Sequence, residues 1–177
     1  MKTTNRQLAI DAADILNDFI GDIVTAVMVF REYDQQYRGG RLPLNLMVPI
    51  QKMCLSHLML TLSKWLEVHE KYHAIFPKET SPVCRELNKR IRLRGIPDFR
   101  NKCIGHIWDK KIGRPLVQSE IMTRLDAIVA GDLPAFFKWL NDPAGNTYPK
   151  TVVSIVEKIR DDIVAEHGIH PDEIIDR

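Results

Sequence analysis

Residues 5–37 read NRQLAIDAADILNDFIGDIVTAVMVFREYDQQY, and this run decides the architecture. Leu8, Ala12, Ile15, Leu16, Phe19, Ile23, Val27 and Phe30 recur at the three- and four-residue spacing of one helix face. The spacing predicts a helix from about Asn5 to Tyr37, with Gly39-Gly40 as its stop signal. Asp11, Asp14, Asp18 and Asp22 make a second, acidic stripe. At about 100° per residue they fall within roughly 80° of one another. That stripe reads as a solvated face, or as one that meets a basic partner or the chain's own basic segment.

The same helical pattern continues outward. Arg41-Leu42-Pro43 reads as a loop. A second helix is expected from about Val48 to Ile75, with Pro49 near its start and Leu55, Leu58, Met59, Leu62, Trp65 and Leu66 inward. Phe76-Pro77 ends it. Ser81 reads as an N-cap with Pro82 at the first helical position, opening a third helix to Arg94 that stops at Gly95. Pro97-Asp98 opens a short fourth helix, and Gly113-Arg114-Pro115 breaks the chain again. Ser119 can cap a fifth, with Ile121, Leu125 and Ile128 inward. Gly131-Asp132 leads to a further segment through Phe136, Phe137 and Trp139. After a loop from Asp142 to Pro149, a last helix is expected over Lys150 to Glu166, ahead of Gly168. There are no strand pairs, internal repeats or low-complexity tracts. The expectation is one all-α domain over residues 1–177, a helical bundle with two long N-terminal helices.

Composition narrows the class. Apolar residues at 45% and charged residues at 27% are those of an ordinary soluble protein, which excludes fibrous and disordered chains. Asp11, Asp14 and Asp18 rule out a signal-peptide apolar region, and no run approaches the roughly 18 apolar residues of a membrane span. Cys54, Cys84 and Cys103 are odd in number and form no C-x-x-C pair, which reads as reduced thiols in a cytoplasmic protein.

The net charge of +2 hides an asymmetry. From Arg85 to Arg114 there are ten Lys or Arg against Glu86, Asp98 and Asp109, a local +7 that leaves −5 for the remainder. A basic segment on an acidic body attracts a polyanion. At its centre stands Arg100-Asn101-Lys102-Cys103-Ile104-Gly105-His106. Arginine stays charged and forks onto phosphate oxygens, and histidine passes protons near neutral pH. On a straight helix Arg100 and His106 would lie about 120° apart and about 9 Å along the axis. They converge only if the helix distorts near Gly105, or if a second copy completes the site. Lys102 and Lys110 flank His106 and disfavour its charged form, while Asp109 favours it and could orient the ring. Asn101 is a donor suited to a phosphate or a ribose hydroxyl.

A rival motif is His69-Glu70-Lys71-Tyr72-His73, which matches the H-E-x-x-H of zinc hydrolases. Lys71 puts a cation between the two imidazoles, and no third ligand stands out downstream. His69 and His73 also continue the Leu62, Trp65, Leu66 stripe, so they are expected to face the bundle or an interface. The match is read as chance, with no metal and no cofactor.

The run Phe99-Arg100-Asn101-Lys102-Cys103-Ile104-Gly105-His106-Ile107-Trp108-Asp109-Lys110 resembles the motif of HEPN-superfamily proteins. It is closest to the abortive-infection type, in which R-N-K-x-x-[AG]-H precedes an acidic or basic pair. The likeness takes in Leu62-Ser63-Lys64-Trp65-Leu66-Glu67 upstream and Pro115-Leu116 downstream, or roughly residues 50–130. It implies a small helical bundle that dimerises with its motifs facing across the twofold. Many members are metal-independent endoribonucleases that leave 2′,3′-cyclic phosphate ends. Many act as toxins or in phage defence, restrained by an antitoxin or other partner. By that resemblance His106 serves acid–base chemistry, Arg100 stabilises the scissile phosphate, and Asn101 assists, with Lys102, Asp109 and Lys110 around them. Some toxin members carry a tyrosine two residues after the histidine, where a partner adds an inhibitory nucleotide. Trp108 stands there in this chain, so that control is not implied. Other HEPN domains only bind RNA or a protein partner, and this non-catalytic module is the alternative.

Overall fold

The computed structural model describes residues 5–104 and 113–175, and among them there are helices and loops but no strand. The elements are α1 (Asn5–Arg38), α2 (Leu44–Tyr72), α3 (Ser81–Leu93), α4 (Ile96–Phe99), α5 (Gln118–Val129), α6 (Leu133–Leu140), α7 (Val152–His167) and α8 (Asp172–Ile175). The all-α bundle with two long N-terminal helices is therefore what the chain forms.

The α1 stripe does what its spacing dictates. Ala12, Leu16, Phe19, Ile23, Val27 and Phe30 are buried, and Leu8 and Ile15 pack half-buried at its edge. Removing each large side chain of this kind from water stabilises the fold by about 1.5–3 kcal/mol. The helix stops where Gly40 takes a left-handed φ of 70°, and Gly39 N–H donates to Gln35 O at 3.0 Å. α1 packs along α2 on one side and α7 on the other. The Phe19–Trp65 pair (5.8 Å between ring centroids) ties α1 to α2, and the stacked Phe30–Phe137 pair (4.3 Å) ties it to α6.

α2 departs from the sequence expectation at its start. Pro43, not Pro49, opens it, and the Pro43 carbonyl accepts from the N–H groups of Leu46 and Met47, both at 3.1 Å. Pro49 thus lies inside the helix and removes one rung of its ladder. At the other end the backbone tightens to a 3₁₀ turn over His73–Ile75. Ser81 is the first residue of α3 rather than its cap, and Thr80 holds the preceding turn by donating to Pro77 O at 2.7 Å. α5 likewise begins before Ser119, and the Glu120 carboxylate accepts from the Val117 N–H at 2.9 Å.

α6 has a standard N-cap, in which Asp132 Oδ1 accepts from the Ala135 N–H at 2.9 Å. Asp132→Ala is expected to lower stability by about 1 kcal/mol in urea unfolding. An unchanged midpoint would show that the cap contributes nothing. Thr151 and Ser154 cap α7 reciprocally, each backbone N–H meeting the other's hydroxyl at 3.1–3.2 Å.

α3 and α4 lean on α2, and α5 connects α4 to α6. Ile96 and Phe99 anchor α4 in the core, which sets Arg100–Ile104 against α2. Among the described residues no helix is long and apolar enough to cross a membrane. Cys54 and Cys84 are buried and Cys103 half-buried, none of them in a disulfide.

Candidate functional site

Gly95 sets the motif's entry. Its left-handed φ of 70° ends α3, and its carbonyl accepts the Phe99 N–H at 3.0 Å, starting α4 at once. After one turn the backbone widens into a π-helix over Arg100–Ile104. Wide turns of this kind are uncommon and recur at functional sites. Convergence was expected to need either a distortion near Gly105 or a second copy; the wide turn lies over the five residues before Gly105.

Arg100 emerges from this turn half-exposed. Its guanidinium donates to Asn101 Oδ1 at 2.9 Å and to Glu67 Oε1 on α2 at 3.3 Å. Glu67 lies 33 positions upstream, in the Leu62–Glu67 run of the resemblance, but spacing did not place it beside Arg100. Asn101 is exposed. Lys102 takes a different direction and pairs with Asp98 at 2.8 Å. The structure thus brings Arg100 and Asn101 together and directs Lys102 to a separate partner. His106, Asp109 and Lys110 lie outside the described residues. Beneath the motif, Phe99, Cys103 and Ile104 border an apolar cavity of about 120 Å³ with Leu55 and Leu125.

The basic segment divides between two faces of α3. Cys84, Leu87 and Ile91 point inward. Arg85, Lys89 and Arg92 follow one another around one flank and are all exposed. Arg90 and Arg94 lie on the other flank, each guanidinium over the Trp139 ring, at 4.8 and 5.0 Å from its centroid. Of these five α3 cations, three therefore face solvent on one flank and two cover Trp139 of α6, Arg90 while still exposed.

The acidic stripe of α1 also divides. Asp18 is exposed, but Asp22 meets α2, where its Oδ1 lies 3.2 Å from His57 Nε2 and its Oδ2 accepts from Thr61 Oγ1 at 3.3 Å. A larger cavity of about 470 Å³ opens between α1, α2 and α6, lined by Arg31, Tyr37, Leu44, Phe137 and Lys138. None of the described motif residues, Arg100–Ile104, lines it.

His69, Glu70 and His73 fall at the α2 terminus. His69 is half-buried beside Trp65 and Phe76, as expected for the stripe. His73 is exposed rather than in the bundle, in the 3₁₀ turn, with its ring stacked 5.7 Å from that of His69. Its Nδ1 contacts the carbonyls of His69 and Glu70 at 3.2 and 3.1 Å. Among the described residues no group of three or more His, Cys, Asp or Glu is placed to hold a metal ion.

Burial, and then the neighbouring His73, push the His69 imidazole below its ordinary value of 6.5. The unfolded chain therefore binds this proton more readily than the folded one. Stability from His69 is complete above 6.5 and falls as pH drops below it. An NMR titration of His69 is expected to give a midpoint below 6.5, and Phe76→Ala, which opens the ring to water, is expected to raise it. A midpoint at or above the ordinary value would contradict this burial argument.

No protein-family model matches the chain, and no curated protein sequence matches it. Its fold is similar to that of a solved structure from the mobile metagenome of V. paracholerae, the integron cassette protein Vpc_cass2. That structure has a TM-score of 0.78 at 22% identity, covering 92% of this chain and 99% of that one. At this identity the likeness speaks for the fold.

Proposed function

We propose that this chain is a metal-independent endoribonuclease of the HEPN type, acting as a homodimer, with Arg100 and His106 as its working pair. The observation that carries the reading is the setting of Arg100. A π-turn presents its guanidinium at the surface beside Asn101, one short helix beyond α3, whose exposed flank carries Arg85, Lys89 and Arg92. The reaction needs little more. The 2′-hydroxyl of a ribose attacks the adjacent phosphorus and the P–O5′ bond breaks. One imidazole takes the hydroxyl proton, and the partner copy's imidazole protonates the departing 5′ oxygen. The guanidinium stabilises the charge that builds on the phosphoryl oxygens. Products are a 2′,3′-cyclic phosphate and a 5′-hydroxyl. A nuclease of this kind suits a toxin or phage-defence role, held in check by an antitoxin.

One observation favours a second reading, a non-catalytic module that binds RNA or protein. Arg100 is already engaged by Glu67, as a structural guanidinium would be. The two readings separate on cutting, since transfer RNA incubated with the protein is fragmented under the first and intact under the second. Both expect RNA affinity to fall steeply with salt, with a log–log slope of about −0.7 per phosphate contacted on a single strand. Affinity that is flat in salt would remove phosphate contacts from either reading.

A further inference from the structure

A groove of about 350 Å³ lies between the α3–α4 junction and α5, lined by Arg94, Gly95, Asp98, Lys102, Arg124 and Ile128. Three cations from three different elements line it, against one carboxylate. Lys102 is the more enclosed member of its pair with Asp98, the two side chains being 28% and 75% exposed. Arg94 is fixed in place. Its guanidinium donates to the Ile128 carbonyl and lies 5.0 and 5.5 Å from the Trp139 and Phe136 centroids. Burial, and then the charge of Arg90, pull Arg94 down from its ordinary value. It is a poorly solvated cation beside a like charge, which an incoming anion would relieve.

Clamping α3 to α5 and α6 accounts for Arg94. Lys102 and Arg124 line the same space from two further elements. Lys102 follows Arg100 by two residues, so one short element faces both the candidate scissile position and this groove.

We propose that the groove binds a backbone phosphate of the RNA strand, flanking the bond at Arg100, through Arg94, Lys102 and Arg124. This rests on the reading of the chain as an RNA-binding nuclease. It extends that reading by giving the strand a direction, from Arg100 across α4 toward α5. The enzyme then grips a strand of several nucleotides rather than a single phosphodiester. An acidic peptide shares part of this chemistry, but the adjoining Arg100 and Asn101 favour a strand of repeated phosphates.

The test is fluorescence anisotropy with a labelled ten-nucleotide single-stranded RNA and the full chain carrying His106→Ala, so that nothing is cut. In that background Arg124→Gln and Lys102→Gln are each expected to weaken binding by about tenfold. Each is also expected to reduce the salt slope by about 0.7, the loss of one phosphate contact. Lys150→Gln, which removes the same charge from an exposed position outside the groove, sets the baseline for charge alone. Arg124→Gln and Lys102→Gln that bind no worse than Lys150→Gln would overturn the proposal. Intact RNA affinity with lost binding of poly-glutamate would also overturn it, assigning the groove to an acidic protein. If the background chain binds no RNA at all, the nuclease reading itself fails and the groove assignment falls with it.

Discussion

Arg100→Ala is expected to lower RNA cleavage by about 10²–10³ while leaving the melting temperature almost unchanged. The size of the loss follows from what the guanidinium does, since a donor aimed at developing charge contributes about that factor in enzymes where one has been removed. The preserved fold follows from where the side chain sits. Arg100 is 37% exposed and its carboxylate partner Glu67 is 68% exposed. An ion pair that open to water contributes about 0–1 kcal/mol, and Glu67 can rehydrate when its partner is gone. Arg100→Lys is expected to recover little, because an ammonium cannot reproduce the planar fork on two phosphoryl oxygens. Activity assays and thermal melts on the same preparations check both halves. Full cleavage by the alanine variant would remove Arg100 from the site, and a large drop in melting temperature would recast it as a structural residue.

Trp65→Ala carries the largest expected cost to stability, about 3–5 kcal/mol. Trp65 is completely buried and among the largest of the fully buried side chains. Its ring meets Phe19 of α1, His69 of α2 and Phe76 beyond it. Its indole N–H donates to Asn88 Oδ1 on α3 at 2.6 Å. Alanine opens a cavity where three segments meet and strands the Asn88 oxygen. At this chain length the loss corresponds to roughly 10 °C or more in melting temperature. Trp65→Phe keeps most of the volume and loses the hydrogen bond, so its cost is expected near 1 kcal/mol, plus the packing lost with the second ring. If the two variants melt together, the indole's bulk is not what holds α1, α2 and α3 in register. The motif leans on α2 and α3, so cleavage in these variants is expected to track the folded fraction.

Much of the fold was legible because burial in a helix has a period. The α1 stripe from Leu8 to Phe30 fixed both the element and its inward face, and Gly39-Gly40 fixed its end. The start of α2 was not legible, since Pro43 and Pro49 can both open a helix. The outcome is set by Pro43, whose carbonyl accepts two N–H bonds, at the cost of one rung at Pro49. The division of the α3 cations could be read from residue spacing, but that Trp139 receives Arg90 and Arg94 could not, because it is some 50 residues away. The π-turn was legible only as a possible distortion near Gly105, and its position over Arg100–Ile104 has no periodic signal. Glu67 was hidden for the same reason as Trp139, since a contact between distant elements has no period to betray it.

The most direct test of the account incubates the purified chain and its His106→Ala variant with transfer RNA in EDTA, and characterises the ends of any fragments. Cleavage is expected from the native chain alone, with 2′,3′-cyclic phosphate and 5′-hydroxyl ends, and none from the variant. Equal cleavage by both, or fragments ending in 3′-hydroxyl and 5′-phosphate, would contradict it.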